Sequence, residues 1–200
     1  MSKISMTLGT IVLVVLGVLA FTVKPMHYHH QKESHDIAMV TDEKQLHEWH
    51  EFVSPMQKFK VLLPTLPQHA QENVNDPKTH QRKEYDMYVS EKDNGTVFMI
   101  SLITIGSEGQ LNEEALSNVM HDMLTGNPRS KLKNVKMGKY HGYPSLDFSI
   151  ESEQAIIDGK VFLSGSTLYL LTSASRPEQY SRQEFDYFVN SFELTPKTEK

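Results

Sequence analysis

The 200-residue sequence contains no cysteine. This absence excludes a disulfide scaffold, a cysteine-ligated zinc or iron-sulfur site, a thiol nucleophile and a lipid-modified N-terminal cysteine. Any functional site must therefore be built from imidazole, carboxylate and surface contacts.

The chain also lacks an excess of basic residues, with 20 Lys and Arg against 25 Asp and Glu and a net charge of -5. Dedicated nucleic-acid binders are normally basic, so this class is disfavoured. At 22.9 kDa, with 38% hydrophobic and 22% charged residues, the composition is typical of one folded domain with a short appendage.

Signatures of enzymes are missing as well. There is no glycine pattern for a phosphate or a dinucleotide, and no Gly-x-Ser-x-Gly elbow. Ser164-Gly165-Ser166 lies in a predicted hairpin turn, His121-Asp122 on a predicted helix surface, and His141 in a predicted turn where one histidine is usually structural. We therefore predict no catalytic residues and no enzyme activity, with an unrecognised hydrolase as an alternative.

The N-terminus contains a run without any charge, residues 7–23. At 1.5 Å per residue it reaches roughly 25 Å, close to the thickness of a bilayer core. Residues 1–24 are predicted to be a signal anchor or a signal peptide cleaved after Ala20, with a buried helix as the third interpretation. We expect a single-pass membrane protein with its domain on the extracytoplasmic side, periplasmic or lumenal, or a secreted or periplasmic protein after cleavage.

Residues 25–51 are predicted to form a polar stalk that is rich in histidine. Six of the ten histidines lie there: His27, His29, His30, His35, His47 and His50. Clustered imidazoles can bind Zn²⁺, Ni²⁺ or Cu²⁺, which makes a metal-capture protein one alternative function. His47 and His50 could share a helix face, but their spacing is one residue shorter than in the zincin motif. A solvated linker is the favoured interpretation, so no metal ligand and no cofactor are predicted.

Residues 52–195 show the pattern of a folded α+β domain, followed by a tail at 196–200. The polar segment 68–80 is predicted to be a loop. The other predicted elements are strands at Lys58–Leu63, Glu84–Ser90, Val97–Ile105, Lys133–Met137, Ser145–Glu151, Ala155–Leu163 and Thr167–Thr172, a helix at Asn112–Leu124, and a closing helix with Phe185, Phe188, Val189 and Phe192 on one face. So many strands with two helices predict a mainly antiparallel sheet. The nearly continuous apolar run Val97–Ile105 predicts cover on both faces, and hence an α/β/α sandwich.

One stretch is basic: Arg129, Lys131, Lys133, Lys136 and Lys139. The favoured interpretation is a solvated edge strand, where lysines discourage pairing between sheets. The alternative is a contact with an anionic lipid surface or an acidic partner.

Several motifs resemble those of the PsbP-like superfamily. They are Phe59–Pro64 followed by Pro67, the central hairpin and helix, Gly142-Tyr143-Pro144, Ser164–Tyr169 and Phe188–Phe192. The superfamily contains the lumenal extrinsic subunit of photosystem II, a Ran-binding import factor and uncharacterised bacterial exported proteins. The resemblance covers residues 52–195 and implies a binding or assembly module with a protein partner. Tyr140, Tyr143 and Tyr169 lie near predicted turns and have two interpretations: contact residues, since aromatic side chains are enriched at interfaces, or residues of the core.

Overall fold

The computed structural model describes residues 48–56, 58–75, 82–105, 113–126 and 129–195. These residues form ten strands, two α-helices and a short 3-10 helix at Pro177–Gln179. The strands belong to two separate sheets, one of seven strands and one of three.

The seven-stranded sheet is antiparallel throughout, as the sequence predicts. Its order is β3-β4-β5-β9-β8-β7-β6. The strands are β3 (Gln68–Asn75), β4 (Arg82–Glu91), β5 (Val97–Ile105), β6 (Lys131–Tyr140), β7 (Tyr143–Glu151), β8 (Ile156–Ser164) and β9 (Thr167–Ser175). The strands predicted between Glu84 and Thr172 are confirmed, because their alternating apolar residues and short turns are local signals.

The polar loop predicted at 68–80 is wrong over its first part, where β3 forms. This strand lies at the edge of the sheet, and seven of its eight residues are exposed. It therefore buries no apolar face that the sequence could reveal. Its position is decided by pairing with β4.

The three-stranded sheet has the order β1-β2-β10, from β1 (His50–Val53), β2 (Phe59–Leu63) and β10 (Glu193–Leu194). The first strand begins two residues before the predicted domain start at Phe52, and the neighbouring Trp49 is buried. Strands of two to four residues carry no detectable pattern, so long-range pairing alone reveals them.

The two helices are α1 (Glu113–Gly126) and α2 (Arg182–Ser191). Both apolar faces predicted from the sequence are buried on opposite sides of the large sheet. Ser181 caps α2, where its hydroxyl accepts a hydrogen bond of 3.3 Å from the backbone N–H of Glu184. This hydrogen bond satisfies one of the backbone N–H groups that have no partner in the first turn of a helix.

The predicted α/β/α sandwich is wrong, because the described part of the chain is rich in sheet and one of its layers is mixed. Helix α2 shares its face of the sheet with Phe59, Val61 and Leu63 of the small sheet. A ten-residue helix is about 15 Å long, whereas seven strands at about 4.8 Å spacing are roughly 29 Å wide. A second sheet therefore completes the cover that one short helix cannot provide.

No helix within the described ranges is long and apolar enough to cross a membrane. The predicted anchor or signal peptide at residues 7–23 lies outside those ranges.

The turn between β4 and β5 has a positive φ at Gly95, 84°, whereas the preceding Asn94 does not have one. The side-chain oxygen of Asn94 instead accepts a hydrogen bond of 2.9 Å from the N–H of Thr96. Asn94 therefore stabilises the turn through its side chain.

Candidate functional site

Strand β6 forms one edge of the seven-stranded sheet, with β7 as its neighbour. It extends over ten residues, and all of them except Tyr140 are exposed. The edge strand predicted for the basic stretch is thus confirmed and is longer than the predicted Lys133–Met137. An edge strand presents unpaired backbone N–H and C=O groups to which a further strand can add.

A β-bulge changes which side chains of β6 share a face. The register shifts between Leu132, which pairs with Ile150, and Asn134, which pairs with Ser149. In a regular strand, residues 132 and 135 would point to opposite faces, because they are three positions apart. The extra residue at Lys133 brings Leu132 onto the same face as Val135.

Leu132, Val135 and Met137 together form what we term the apolar row. Their cross-strand partners Ile150, Phe148 and Leu146 are buried in the core cluster under α1. The row itself is 38%, 41% and 48% exposed, in chain order. Helix α1 packs on β7 and β8. The apolar row lies on the same face of the sheet, next to the residues that α1 covers, but is itself exposed to solvent.

The same strand carries cations. Lys133 forms an ion pair of 2.8 Å with Glu151. Within the described residues, Lys131, Lys136 and Lys139 have no ion pair. Lys131 and Lys136 lie on the face opposite to the apolar row, as their pairing with β7 shows. Among the described strands, the edge thus combines backbone without a second neighbouring strand, a face with the apolar row followed by Lys139, and an opposite face with Lys131 and Lys136.

The turn after β6 holds its register. His141 and Gly142 have φ values of 50° and 86°, and two successive positive φ angles are the property of a type I′ hairpin turn. The exposed His141 ring lies 4.2 Å from the Tyr140 ring. His141 is therefore a turn residue, consistent with the structural role predicted for it.

Of the two interpretations of Tyr140, Tyr143 and Tyr169, the structure agrees with the core. Tyr140 and Tyr169 are 9% and 8% exposed, and Tyr143 packs partly buried against the same cluster. The Tyr140 hydroxyl donates to the carbonyl oxygens of Val189 and Phe192, at 2.6 and 3.1 Å. Tyr140 thereby connects the end of β6 to the end of α2.

Buried tyrosines predict a loss of stability at alkaline pH. Burial, with a smaller contribution from the charge of Asp86, raises the pKa of Tyr88 to about 12. Burial also raises the pKa of Tyr140. A folded-state pKa above the unfolded value of about 10 means that stability is complete below pH 10 and falls as the pH rises towards 12.

We expect Tyr88→Phe to remove on the order of 2 kcal/mol of this pH-dependent loss. Urea unfolding at several pH values between 9 and 12 measures it. An equally steep decline in wild type and variant would contradict the assignment.

Most of the stalk histidines, which were weighed as metal ligands only in the alternative interpretation, lie outside the described residues. His27, His29, His30, His35 and His47 lie outside the described residues. His50 is exposed in strand β1, so it does not occupy the helix face suggested for it with His47. Residues 48–56, 58–75, 82–105, 113–126 and 129–195 hold no cluster of three potential ligands.

Neither of the serine and histidine motifs assembles a nucleophilic site in the described residues. His121 is exposed on α1, and Asp122 follows it on the same helix. Ser164, Gly165 and Ser166 lie at the turn between β8 and β9, where Gly165 has a φ of 61°. This turn joins two strands and lacks the strand-to-helix geometry of a nucleophile elbow.

The structure brings together a polar cluster around Asp86 that the sequence does not reveal. The buried Asp86 carboxylate accepts from Lys58 Nζ at 2.8 Å and contacts His69 Nε2 at 3.2 Å. The His69 ring stacks on Tyr88 with 4.4 Å between centroids. His69 and Tyr88 lie opposite each other in β3 and β4, and Lys58 is 28 positions before Asp86 in the sequence. The contacts of His69 are accounted for by Asp86 and Tyr88, which makes the cluster a structural anchor of edge strand β3.

A surface pocket of about 310 Å³ lies beside Trp49, Thr65 and Lys92. The Lys92 ammonium forms an ion pair with the buried carboxylate of Glu184. Its charge is therefore already compensated inside the protein. The remaining charged groups of the lining, Glu48 and Asp93, are acidic. Of the described surfaces, the β6 edge offers the more complete set of binding groups.

Comparison with known proteins adds little to this geometry. No family model matches the chain, and no curated protein matches it. Among solved structures, one from Bacteroides thetaiotaomicron VPI-5482 aligns with 75% of this chain and 50% of its own, at 13% identity and a TM-score of 0.35. The chain therefore spans about half the length of that protein. The PsbP-like resemblance stays a prediction, and the candidate site stands on its own geometry.

Proposed function

We propose that this protein is a non-enzymatic binding module that recruits a protein partner through the edge strand β6. The observation that carries this proposal is the coincidence of free backbone, the apolar row and uncompensated lysines on one strand. Lysines alone would only protect the edge from pairing. An apolar row at 38–48% exposure gains free energy when a partner covers it.

The opposite edge of the sheet, β3, lacks the features that make β6 a candidate binding edge. Strand β3 is also exposed, but its outward residues are polar except for Ala70 and Val74, and Val74 packs against the core under α1. β3 therefore has unpaired backbone without an exposed apolar row.

We further propose that residues 7–23 hold the domain at a membrane, with the folded part on the extracytoplasmic side. The support is the charge-free run and the lysines, Lys3 and Lys24, that bound it. Tethering raises the effective concentration of a binding module near a partner in the same membrane.

Site-specific photo-crosslinking in native membranes tests the binding edge. A photoreactive amino acid is placed in the full chain at position 137 in β6 or, as the matched position, at 70 in β3. We expect a light-dependent adduct of one defined mass from position 137 and none from position 70. Adducts of equal yield at both positions, or none at 137, would refute the proposal.

A charge-matched pair of triple variants supplies the control. Lys131→Gln, Lys136→Gln and Lys139→Gln together change the net charge by -3, and we expect them to reduce the position-137 adduct at least fivefold. Gln68→Glu, Ala70→Glu and Asn75→Glu make the same change on β3 and should leave it intact. Equal losses would indicate that overall charge, and not the β6 edge, governs binding.

A further inference from the structure

The geometry of β6 points to the chemistry of its partner: we infer an extended segment that adds as a further strand and alternates apolar with acidic residues. This inference rests on the proposed function and specifies the ligand class of the same edge. The regular part of the strand after the bulge, Asn134–Tyr140, determines the pattern.

Side chains on the added strand must match the two faces of β6. Opposite Val135 and Met137 the added strand meets the apolar row, so apolar residues there bury surface on both chains. Between them, on the other face, it meets Lys136, whose ammonium has no ion pair within the described part of the chain. Opposite charges across neighbouring strands stabilise a sheet, and the two-residue period separates the faces. Opposite Val135, Lys136 and Met137 the partner is therefore apolar, acidic and apolar in turn.

Asp147 of β7 does not supply the negative charge that Lys136 needs. Asp147 faces Lys136 across the ladder, but its carboxylate forms an ion pair with Lys160. Glu151, which faces Lys131, pairs with Lys133. The two lysines on this face are thus left for carboxylates from outside the chain.

A second copy of the protein is a poorer occupant of the same edge in one register. An antiparallel β6-to-β6 pairing centred on Lys136 would set this lysine against its own copy. Like charges directly opposite each other destabilise a pair of strands. An acidic partner meets Lys136 with the opposite charge in that register, and a homodimer in another register is an outcome that the experiment below tests.

Synthetic peptides test the pattern with the full chain in detergent. The probe is a nine-residue peptide of alternating Val and Glu with soluble flanks; the controls are its shuffled isomer and a version with Gln in place of Glu. We expect the alternating acidic peptide to bind at least tenfold more tightly than either control. Bound peptide should slow amide hydrogen exchange at residues 134–140, because it covers the outward backbone groups.

A charge swap makes the test independent of folding defects. Lys131→Glu with Lys136→Glu should weaken binding of the Val/Glu peptide at least tenfold and create binding of a Val/Lys peptide. The double variant must first show the wild-type unfolding midpoint. Restored binding by the reversed peptide cannot arise from a damaged fold.

The outcomes separate the two proposals. Equal binding of alternating and shuffled peptides, or exchange protection of 134–140 by phosphatidylserine vesicles but not by the peptide, would overturn this inference. So would a shift of the free protein to a dimer with protection at β6. If crosslinks from position 137 persist in that case, the β6 edge still binds a protein in another conformation. If they are absent too, the proposed function falls with the inference.

Discussion

Gly159→Ala is expected to destabilise the domain by about 3 kcal/mol or more. Gly159 of β8 faces Phe148 of β7 directly across the ladder. A Cβ atom at position 159 would lie 2.1 Å from Cζ of that ring and 2.5 Å from each Cε. Phe148 is 2% exposed within the core under α1, so its ring has little space into which to move. The glycine is required here for space, since its φ is not positive.

Urea unfolding of the full chain measures the effect. Trp49 is the only tryptophan, and its buried ring contacts Phe98 and Tyr187, so its fluorescence reports loss of tertiary structure. The matched control is Gly138→Ala in β6, where the new Cβ would meet its nearest atom, Ser145 Oγ, at 3.9 Å. We expect a change of less than about 0.5 kcal/mol there. Similar unfolding midpoints for both variants would contradict the steric argument.

A double variant checks the partner in the clash. Phe148→Ala alone should cost about 3–4 kcal/mol through the cavity that it leaves. Adding Gly159→Ala to it should cost almost nothing more, because the clashing ring has gone. Additive losses would mean that Gly159 is needed for another reason.

Glu184→Met is expected to lower the free energy of unfolding by about 3 kcal/mol, because it leaves the buried Lys92 ammonium without its counter-ion. The side chains of Lys92 and Glu184 are 15% and 7% exposed, and they connect the β4–β5 turn to the first turn of α2. Removing the carboxylate leaves the ammonium with neither a counter-ion nor full hydration. The unfolding midpoint in urea should fall accordingly.

The double variant Lys92→Met with Glu184→Met should recover most of this stability, since apolar side chains of similar volume replace buried ion pairs at little cost. The exposed pair Lys60–Glu193, at 2.9 Å with side chains 43% and 57% exposed, is the matched control. Glu193→Met there should change stability by less than about 1 kcal/mol. Equal effects of Glu184→Met and Glu193→Met would show that burial does not determine the value of these pairs.

Local patterns in the sequence were sufficient for the elements that bury a continuous apolar face. Strand β5, helix α1 and the hairpin across His141-Gly142 each carry their own signal within about ten residues: an apolar run, a helical period or a turn motif. Those signals act over short distances, so they survive in any arrangement of the rest of the chain.

The α/β/α prediction failed for a reason of scale. Two amphipathic helices were recognised correctly, but the small sheet that completes the layer beside α2 consists of strands of two to five residues. β10 pairs with β2 across more than 130 positions of sequence. No local period predicts such a pairing, because its stability comes from burial that exists only after the layers meet.

The candidate site divides in the same way. The sequence by itself determined that a basic, lysine-rich strand should lie at a sheet edge, because lysines at that density disfavour an interior position. It also determined that no cysteine chemistry is possible. Only the tertiary structure decided that the bulge at Lys133 aligns Leu132 with Val135 and Met137, and that α1 covers β7 and β8 while leaving this row in solvent. The physical reason is that a face of a strand is defined by its pairing partner, and the partner's register is a property of the folded sheet.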